Sequence, residues 1–281
     1  MDPEELRLID LNLVESVREL ARWQDGPELR EGSGVTTICG DGFLINTALR
    51  TDPRLPAEAF LQQVSAFFAA RALAFTLWIR DPVDRDLEEL VRARGLTPLA
   101  ETPWMVLRKP LAEARLARGV ELLRISDPEE IAELAEVEAE AYTDLGFAAE
   151  ECRALFGAPR RLLAPHLLVY LARAEGEAAA AALALLSHGV AGIYWVGTRK
   201  RFRRHGLAEA CTRAAGNDAL ARGARFVALH ASPMGEPLYR RMGYQPVASH
   251  RWYWIAPAGE RSRRRTSSDT PRSGSARSRG A

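Results

Sequence analysis

The stretch that decides the reading of this chain is Val196-Gly197-Thr198-Arg199-Lys200-Arg201-Phe202-Arg203-Arg204-His205-Gly206-Leu207-Ala208. Residues 193–196, Ile-Tyr-Trp-Val, are strand formers and lead into it. A basic turn closes on Gly206, and the alanine-rich residues 207–222 predict a helix. Strand, basic turn and helix start make an anion-ready unit. The first N–H groups of a helix lack intrahelical partners, and the helix dipole adds positive partial charge there. Arg203, Arg204 and His205 contribute further donors and charge. The same residues also suit a basic surface turn before an ordinary helix, so the surrounding chain has to decide.

Working outward toward the N-terminus, residues 166–173, 178–187 and 190–198 read as three successive strands joined by tight turns at 174–177 and His188-Gly189. The middle one is so rich in alanine that propensity alone favours helix, but the flanking turns leave too little room. Before them, residues 120–125 predict a strand. Ser126-Asp127-Pro128-Glu129 predicts a helix entry with a capping box, and Ile131, Leu134, Ala135, Tyr142 and Leu145 share one face of that helix. Toward the C-terminus, Gly223 stops the 207–222 helix and residues 224–230 predict a strand. Residues 237–241 predict a short helix closed by Gly243, and residues 252–255 a last strand. From Gly259 onward the composition turns to arginine and serine, which cannot bury enough apolar surface to offset ordering entropy.

The N-terminal part repeats this logic. Leu6, Ile9, Leu13, Val17 and Leu20 give a helical period over residues 4–23, and Gly32, Gly34, Gly40 and Gly42 punctuate one or two short strands. Residues 55–71 predict a helix, 74–79 a strand, 86–94 a helix closed by Gly95, and 104–107 a strand. A polar, helix-prone linker covers 111–119. Glu88, Leu90, Arg92, Gly95, Pro98, Ala100 and Trp104 recur 148 residues later as Glu236, Leu238, Arg240, Gly243, Pro246, Ala248 and Trp252. A duplicated α/β unit therefore accounts for a length of 281 residues, which suits about two domains. Carried back at the same offset, Arg203 falls on Leu55, Gly206 on Glu58 and Ala208 on Phe60, and Tyr239 falls on Val91. On that alignment the first copy keeps the scaffold and lacks the anion loop.

Composition narrows the class. A hydrophobic content of 47% and charged content of 27% are those of a globular protein, and a net charge of +1 argues against general nucleic-acid binding by the folded part. Three scattered cysteines, Cys39, Cys152 and Cys211, give no disulfide framework or thiolate zinc site, and the histidines lack metal-ligand spacing, so no metal is expected. The acidic start has no signal-peptide core, and the longest uncharged apolar run, 178–186, is too short to cross a bilayer. The expectation is a cytoplasmic protein that does not engage membranes.

The order Arg-x-x-Gly-x-Ala at Arg203, Gly206 and Ala208 is similar to the acyl-CoA pyrophosphate loop of the GCN5-related N-acetyltransferases, the GNAT superfamily. The later segment 229–244, in which a strand leads into a short helix bearing Leu238-Tyr239 and then Gly243-Tyr244, resembles that family as well. The likeness covers roughly residues 120–256, and the first copy resembles a degenerate version. It implies two tandem domains, each a mostly antiparallel mixed sheet flanked by helices: 1–110 degenerate, 111–119 linker, 120–257 acyl-CoA-binding, 258–281 an Arg/Ser-rich disordered tail. It implies acetyl-CoA as co-substrate and acetyl transfer to an amine by direct attack. Val196, Gly197 and Thr198 would face the pantetheine arm, and the amides of Arg203, Arg204, His205, Gly206, Leu207 and Ala208 would cradle the pyrophosphate.

Tyr239 would protonate the departing thiolate, since a phenol with a pKa near 10 matches a thiolate of similar basicity. Ser232 stands where many relatives carry a CoA-contacting asparagine. Many relatives place a glutamate on the strand before the loop, but here the matching position is about Gly192; Glu138 and His230 are the nearby alternatives, and solvent the default base. The acceptor, a small-molecule or a protein amine, stays open, as does a homodimer. A non-catalytic acyl-CoA-binding sensor is the alternative function, and nucleic-acid contact through the basic tail a third reading.

Overall fold

The computed structural model describes residues 2–40, 42 and 45–256; the Arg/Ser-rich tail lies outside them. The first half comprises α1 (Pro3–Arg22), β1 (Glu28–Gly32), β2 (Val35–Cys39), β3 (Thr47–Arg50), α2 (Ala57–Ala69), β4 (Phe75–Asp81), α3 (Arg85–Ala93) and β5 (Pro98–Leu107). The second comprises β6 (Val120–Arg124), α4 (Pro128–Ala141), α5 (Ala149–Leu155), β7 (Leu167–Ala174), β8 (Glu177–Ser187), β9 (Val190–Thr198), α6 (Leu207–Ala221), β10 (Val227–His230), α7 (Glu236–Met242) and β11 (Gln245–Ile255). Short 3-10 turns occupy Tyr142–Leu145, Pro159–Leu163 and Lys200–Phe202.

The capping logic of the sequence holds with one shift. Asp127 is the N-cap of α4 and Glu130 completes the capping box, one residue later than the expected Ser126 and Glu129. Leu145 is 48% exposed, off the buried face assigned to it, because α4 ends at Ala141 and the following 3-10 turn changes the period. The alanines of β8 are in a strand, as the turn argument required. Ala178 to Ala182 are buried on both faces, and their small side chains let α4 and α6 pack against opposite sides of the sheet.

The strands form one mixed sheet in the order β1-β2-β3-β4-β11-β5-β10-β9-β8-β7-β6. The two last strands are exchanged between the copies. β11 from the second copy pairs antiparallel with β4 of the first, and β5 from the first pairs antiparallel with β10 of the second. β5 and β11 pair with each other at the centre, where Thr102 faces His250, Glu101 faces Arg251 and Pro103 faces Ser249. Apart from Gln245–Val106, each pairing maps onto another when the strands are swapped at the 148-residue offset, including Pro98 with Tyr253 and Met105 with Pro246 beyond the two bulges. The repeat legible in the sequence is thus a pseudo-two-fold axis through the Thr102–His250 pair.

Four expectations need correction. A third short strand, β3, and the helix α5 were not anticipated; four residues of β3 are too few to show a period. β5 and β11 are longer than expected because each gains a second partner in the exchange. The linker is not helical. The backbone N–H and C=O of Leu111 bond the Asn217 side chain at 2.9 Å and 2.7 Å, and Ala112 C=O accepts from Arg213, so the strap lies across α6. The offset carried back from α3 and α7 also fails before those helices. The N-caps of α2 and α6 are Pro56 and Gly206, so Pro56 matches Gly206, and Glu58 matches Ala208.

Candidate functional site

The site is built where β9 leaves its neighbour. β9 pairs in parallel with β10 only at Ala191–Val227 and Gly192–Ala228. On its other edge the register with β8 slips between Ala181–Gly197 and Leu183–Tyr194, so β9 carries an extra residue there. Trp195 takes up the bulge at φ 51°, a region that costs a non-glycine residue about 1–3 kcal/mol. The bulge bends β9 and parts it from β10, leaving residues 193–198 without a β10 partner. Val196 and Thr198 are half-buried along this opening and Gly197 is buried.

The basic turn follows directly. Arg204 (φ 65°) and Gly206 (φ 76°) turn the chain into α6, and Gly206 is its N-cap without any side-chain cap. Among the described residues, nothing accepts from the N–H groups of residues 204–209, a concave run of free donors at a helix start. A cavity of about 330 Å³ lies against His205, Gly206 and the first turns of α6, walled on its outer side by linker residues 113–117. The side chains divide. Lys200 and Arg203 bind Asp144, which they hold below the usual carboxylate range, and Arg203 Nε also reaches Thr198 C=O at 3.3 Å. Arg201 pairs with Glu177. Leu207 buries its side chain, leaving only its amide to the cavity. Arg204 and His205 are exposed beside the free amides.

Tyr239 is on the buried face of α7, its ring over Gly235, where an added Cβ would meet it at 2.9 Å. Its hydroxyl has no partner among the described residues, and burial, with Glu138 second, pushes its pKa upward. Ser232 is engaged elsewhere: its Oγ accepts from Gly235 N–H at 3.1 Å, fixing the turn into α7.

Glu138 on α4 is fully buried, and neither carboxyl oxygen has a hydrogen-bond partner. A Cβ built on Gly197 would lie 2.7 Å and 2.8 Å from those oxygens, so any side chain there would push the Glu138 carboxyl aside. At Gly192 the space is taken from the other copy. Asn12 of α1 is 2% exposed and donates through Nδ2 to Leu185 C=O at 3.0 Å and Ser187 Oγ at 2.8 Å. Its Oδ1 accepts from Tyr194 O–H at 2.9 Å and would lie 2.1 Å from a Gly192 Cβ. Beyond it, His230 sits 5.0 Å from Trp104, 5.9 Å from Trp252 and 6.0 Å from Tyr194 between ring centroids, and burial lowers its pKa to about 4. Sequence reasoning missed Asn12, whose signal was a polar residue on the apolar face between Ile9 and Leu13. It named Glu138 only as an alternative base, without its complete burial.

The comparisons agree with this geometry. The family model described as acetyltransferase (GNAT) domain matches residues 106–254. A GCN5-related N-acetyltransferase from Kribbella flavida superposes with a TM-score of 0.67 at 20% identity, over 86% of this chain and 93% of that one. A tandem GNAT protein from the clavulanic acid biosynthesis pathway, solved without AcCoA, gives 0.60 at 13% identity over 90% and 95%. A relative from Sphaerobacter thermophilus gives 0.57 at 17% over 82% and 75%. At these identities the structures are similar to this chain in fold alone. No curated protein matches the sequence. The family model covers more than half of the 281 residues and spans the bulged strand, the free amides of the basic turn and the helix of Tyr239, so the chain belongs to the GNAT acetyltransferase family.

Proposed function

We propose that the chain is an N-acetyltransferase that takes acetyl-CoA as co-substrate and transfers the acetyl group to an amine by direct attack, without a covalent enzyme intermediate. The observation that carries this reading is the combination of three features in one family domain: the parted strands β9 and β10, the free N–H groups of residues 204–209, and the unpartnered hydroxyl of Tyr239. These residues fit an acyl-CoA: free amides at a helix start suit a pyrophosphate, and an unpaired strand edge suits an amide-bearing arm. When bound, acetyl-CoA supplies a thioester with an electrophilic acyl carbon and a thiolate leaving group.

The chain's own residues then have distinct tasks. The amides of residues 204–209, with Arg204 and His205, hold the diphosphate; Arg203 holds the loop to Asp144. The edge at Val196 and Thr198 orients the arm. Tyr239 stays protonated at neutral pH and donates its proton to the departing sulfur. His230, held neutral by burial, is a weak base, and Asn12 fills the space at Gly192, so the acceptor enters as a free amine deprotonated by solvent. The aromatic wall of Tyr194, His230 and Trp252 borders the acceptor side. The acceptor is a small-molecule or protein amine, the setting is cytoplasmic, and residues 1–110, 111–119 and 120–257 divide as support, linker and acetyl-CoA-binding domain. Among the described residues no helix is long and apolar enough to cross a membrane.

Tyr239→Phe tests the reading. With a panel of amines and a thiol-release assay, kcat is expected to fall about 10²- to 10⁴-fold, the range of a lost general acid. Acetyl-CoA affinity should be unchanged. Binding of acetyl-CoA by the wild type with no turnover on any amine would favour the sensor reading, for which the missing carboxylate at Gly192 speaks.

A further inference from the structure

Among the described residues, several buried side chains carry a polar atom without a partner, and Glu138 is the carboxyl in that group, with both of its oxygens unpaired. Its side chain is 0% exposed, it projects from α4 toward β9, and no donor meets either oxygen. Buried polar groups of native proteins are nearly always paired, and a buried carboxyl without a partner is strongly unfavourable. Among the described residues no cation acts on it. The groups that face it are Tyr142 on its own helix, Tyr239 on α7, Cys152 on α5 and Cys211 on α6. The amide of Gly197 approaches without reaching bonding geometry. An apolar residue would fit this space at less cost.

The carboxyl does face something. Gly197 is the residue of β9 just past the bulge, where the strand has left β10, and its missing side chain brings the backbone within van der Waals contact of Glu138. A group lying in that opening would reach the carboxyl past Gly197. We propose that Glu138 is a binding residue for the acyl-pantetheine arm, its carboxyl group hydrogen-bonding an amide of the arm beside Gly197. This rests on the acetyl-CoA reading above. The chemistry is complementary: a protonated carboxyl presents one donor and one acceptor, as an amide does. Burial holds Glu138 well above the usual glutamate range, in the form that can donate. A carboxyl kept protonated does not serve as the amine's base, so Glu138 is a binding residue and takes no part in proton transfer.

Calorimetric titration with acetyl-CoA tests this on the full chain carrying Glu138→Leu or Glu138→Gln, alongside thermal unfolding without ligand. The leucine variant should bind acetyl-CoA at least about tenfold more weakly, the worth of a buried hydrogen bond. Its unliganded Tm should equal or exceed the wild-type value, because an unpaired buried carboxyl has been removed. The glutamine variant, which keeps one donor and one acceptor, should stay within about threefold of wild type. Adenosine 3′,5′-bisphosphate, which has phosphates and no arm, should bind all three alike. Acetyl-CoA binding by the leucine variant at wild-type strength would overturn the proposal while leaving the acetyl-CoA reading intact. Loss of binding together with a fall in unliganded Tm would make Glu138 structural and overturn it too. Failure of the wild type to bind acetyl-CoA would overturn both.

Discussion

The two copies share a scaffold and contrast most sharply in the gap between the parallel strand pair. Leu107 and Ile255 are equivalent across the pseudo-two-fold, and they pair with Val227 and Phe75, so β10 and β4 align from those residues. Ala228 then matches Thr76, Gly192 matches Thr47, and Trp195 matches Arg50. In the second copy Trp195 bulges, the strands part and the gap stays open. In the first, pairing continues through Leu49–Trp78, and Arg50 turns into the gap. Its guanidinium is 1% exposed and binds Asp84 at 3.0 Å, Asp86 at 2.8 Å and Leu55 C=O at 3.1 Å. Asp84 is the N-cap of α3, Asp86 stands in its first turn, and Leu55 precedes α2; these helices match α7 and α6. One arginine thus fills the channel that the second copy leaves open, and joins both helix starts to the sheet. The contrast between the two copies is a bulge against an ion cluster, more than the basic turn itself.

The largest effect should come from breaking that cluster. Arg50→Met takes from the fully buried Asp84 one of its two arginine partners, leaving Arg80 at 2.8 Å, and strips Asp86 of its guanidinium. A stability loss of about 3–5 kcal/mol is expected in denaturant unfolding, as when one partner of a buried pair is removed. No acetyl-CoA site should appear in the first copy. A loss below about 1 kcal/mol would show that the cluster is incidental.

A smaller effect concerns pH in the second copy. Glu138 ionises in the unfolded chain near 4.5 and well above that when folded. The folded state therefore holds a proton that the unfolded state has lost. Stability from this group is complete below about pH 4.5 and declines, by up to about 1.4 kcal/mol per pH unit, as pH rises toward the folded pKa. Tyr142, Tyr239, Cys152 and Cys211 around it are all pushed upward, Cys152 to about 12, and stay neutral through this window. The stability difference between Glu138→Gln and wild type should therefore widen in favour of the variant from pH 5 to pH 9. A constant difference would mean that the folded carboxyl is ionised.

Smallest of all should be Glu58→Ala. Glu58 stands in the first turn of α2, paired with Arg94, with side-chain exposures of 51% and 43%. An exposed pair contributes about 0–1 kcal/mol, and removing it leaves Arg50 in the gap, so neither stability nor acetyl-CoA binding should change appreciably. Acetyl-CoA binding gained by this variant would move the cause of the first copy's silence from Arg50 to Glu58.

This comparison was only half legible in the sequence. Strand, basic turn and helix at residues 193–221 could be read because all three are local, and the α3–β5 repeat because its Gly, Pro and Trp fall at one offset. The strand exchange could not be read, since pairing partners lie far apart in sequence and periodicity does not name them. The repeat alignment also failed upstream for a physical reason. Ten residues separate Trp78 from Glu88, and six separate His230 from Glu236, because the first copy extends β4 and inserts Pro82 and the capping Asp84. That slip hid Arg50 opposite Trp195 and put weight on Glu58. Asn12 was hidden similarly: a polar residue on a buried helical stripe gives no sign that it serves the other copy.

The most direct test of the account is the stoichiometry of acetyl-CoA binding, measured by titration calorimetry on the intact chain and on Gly206→Glu. Gly206 has φ 76° and open space where a side chain would be, so glutamate brings a carboxylate to the free amides of residues 204–209 along with left-handed strain. One acetyl-CoA should bind per wild-type chain, and the variant should bind it at least about tenfold more weakly. Two per chain, or one bound equally well by Gly206→Glu, would contradict this.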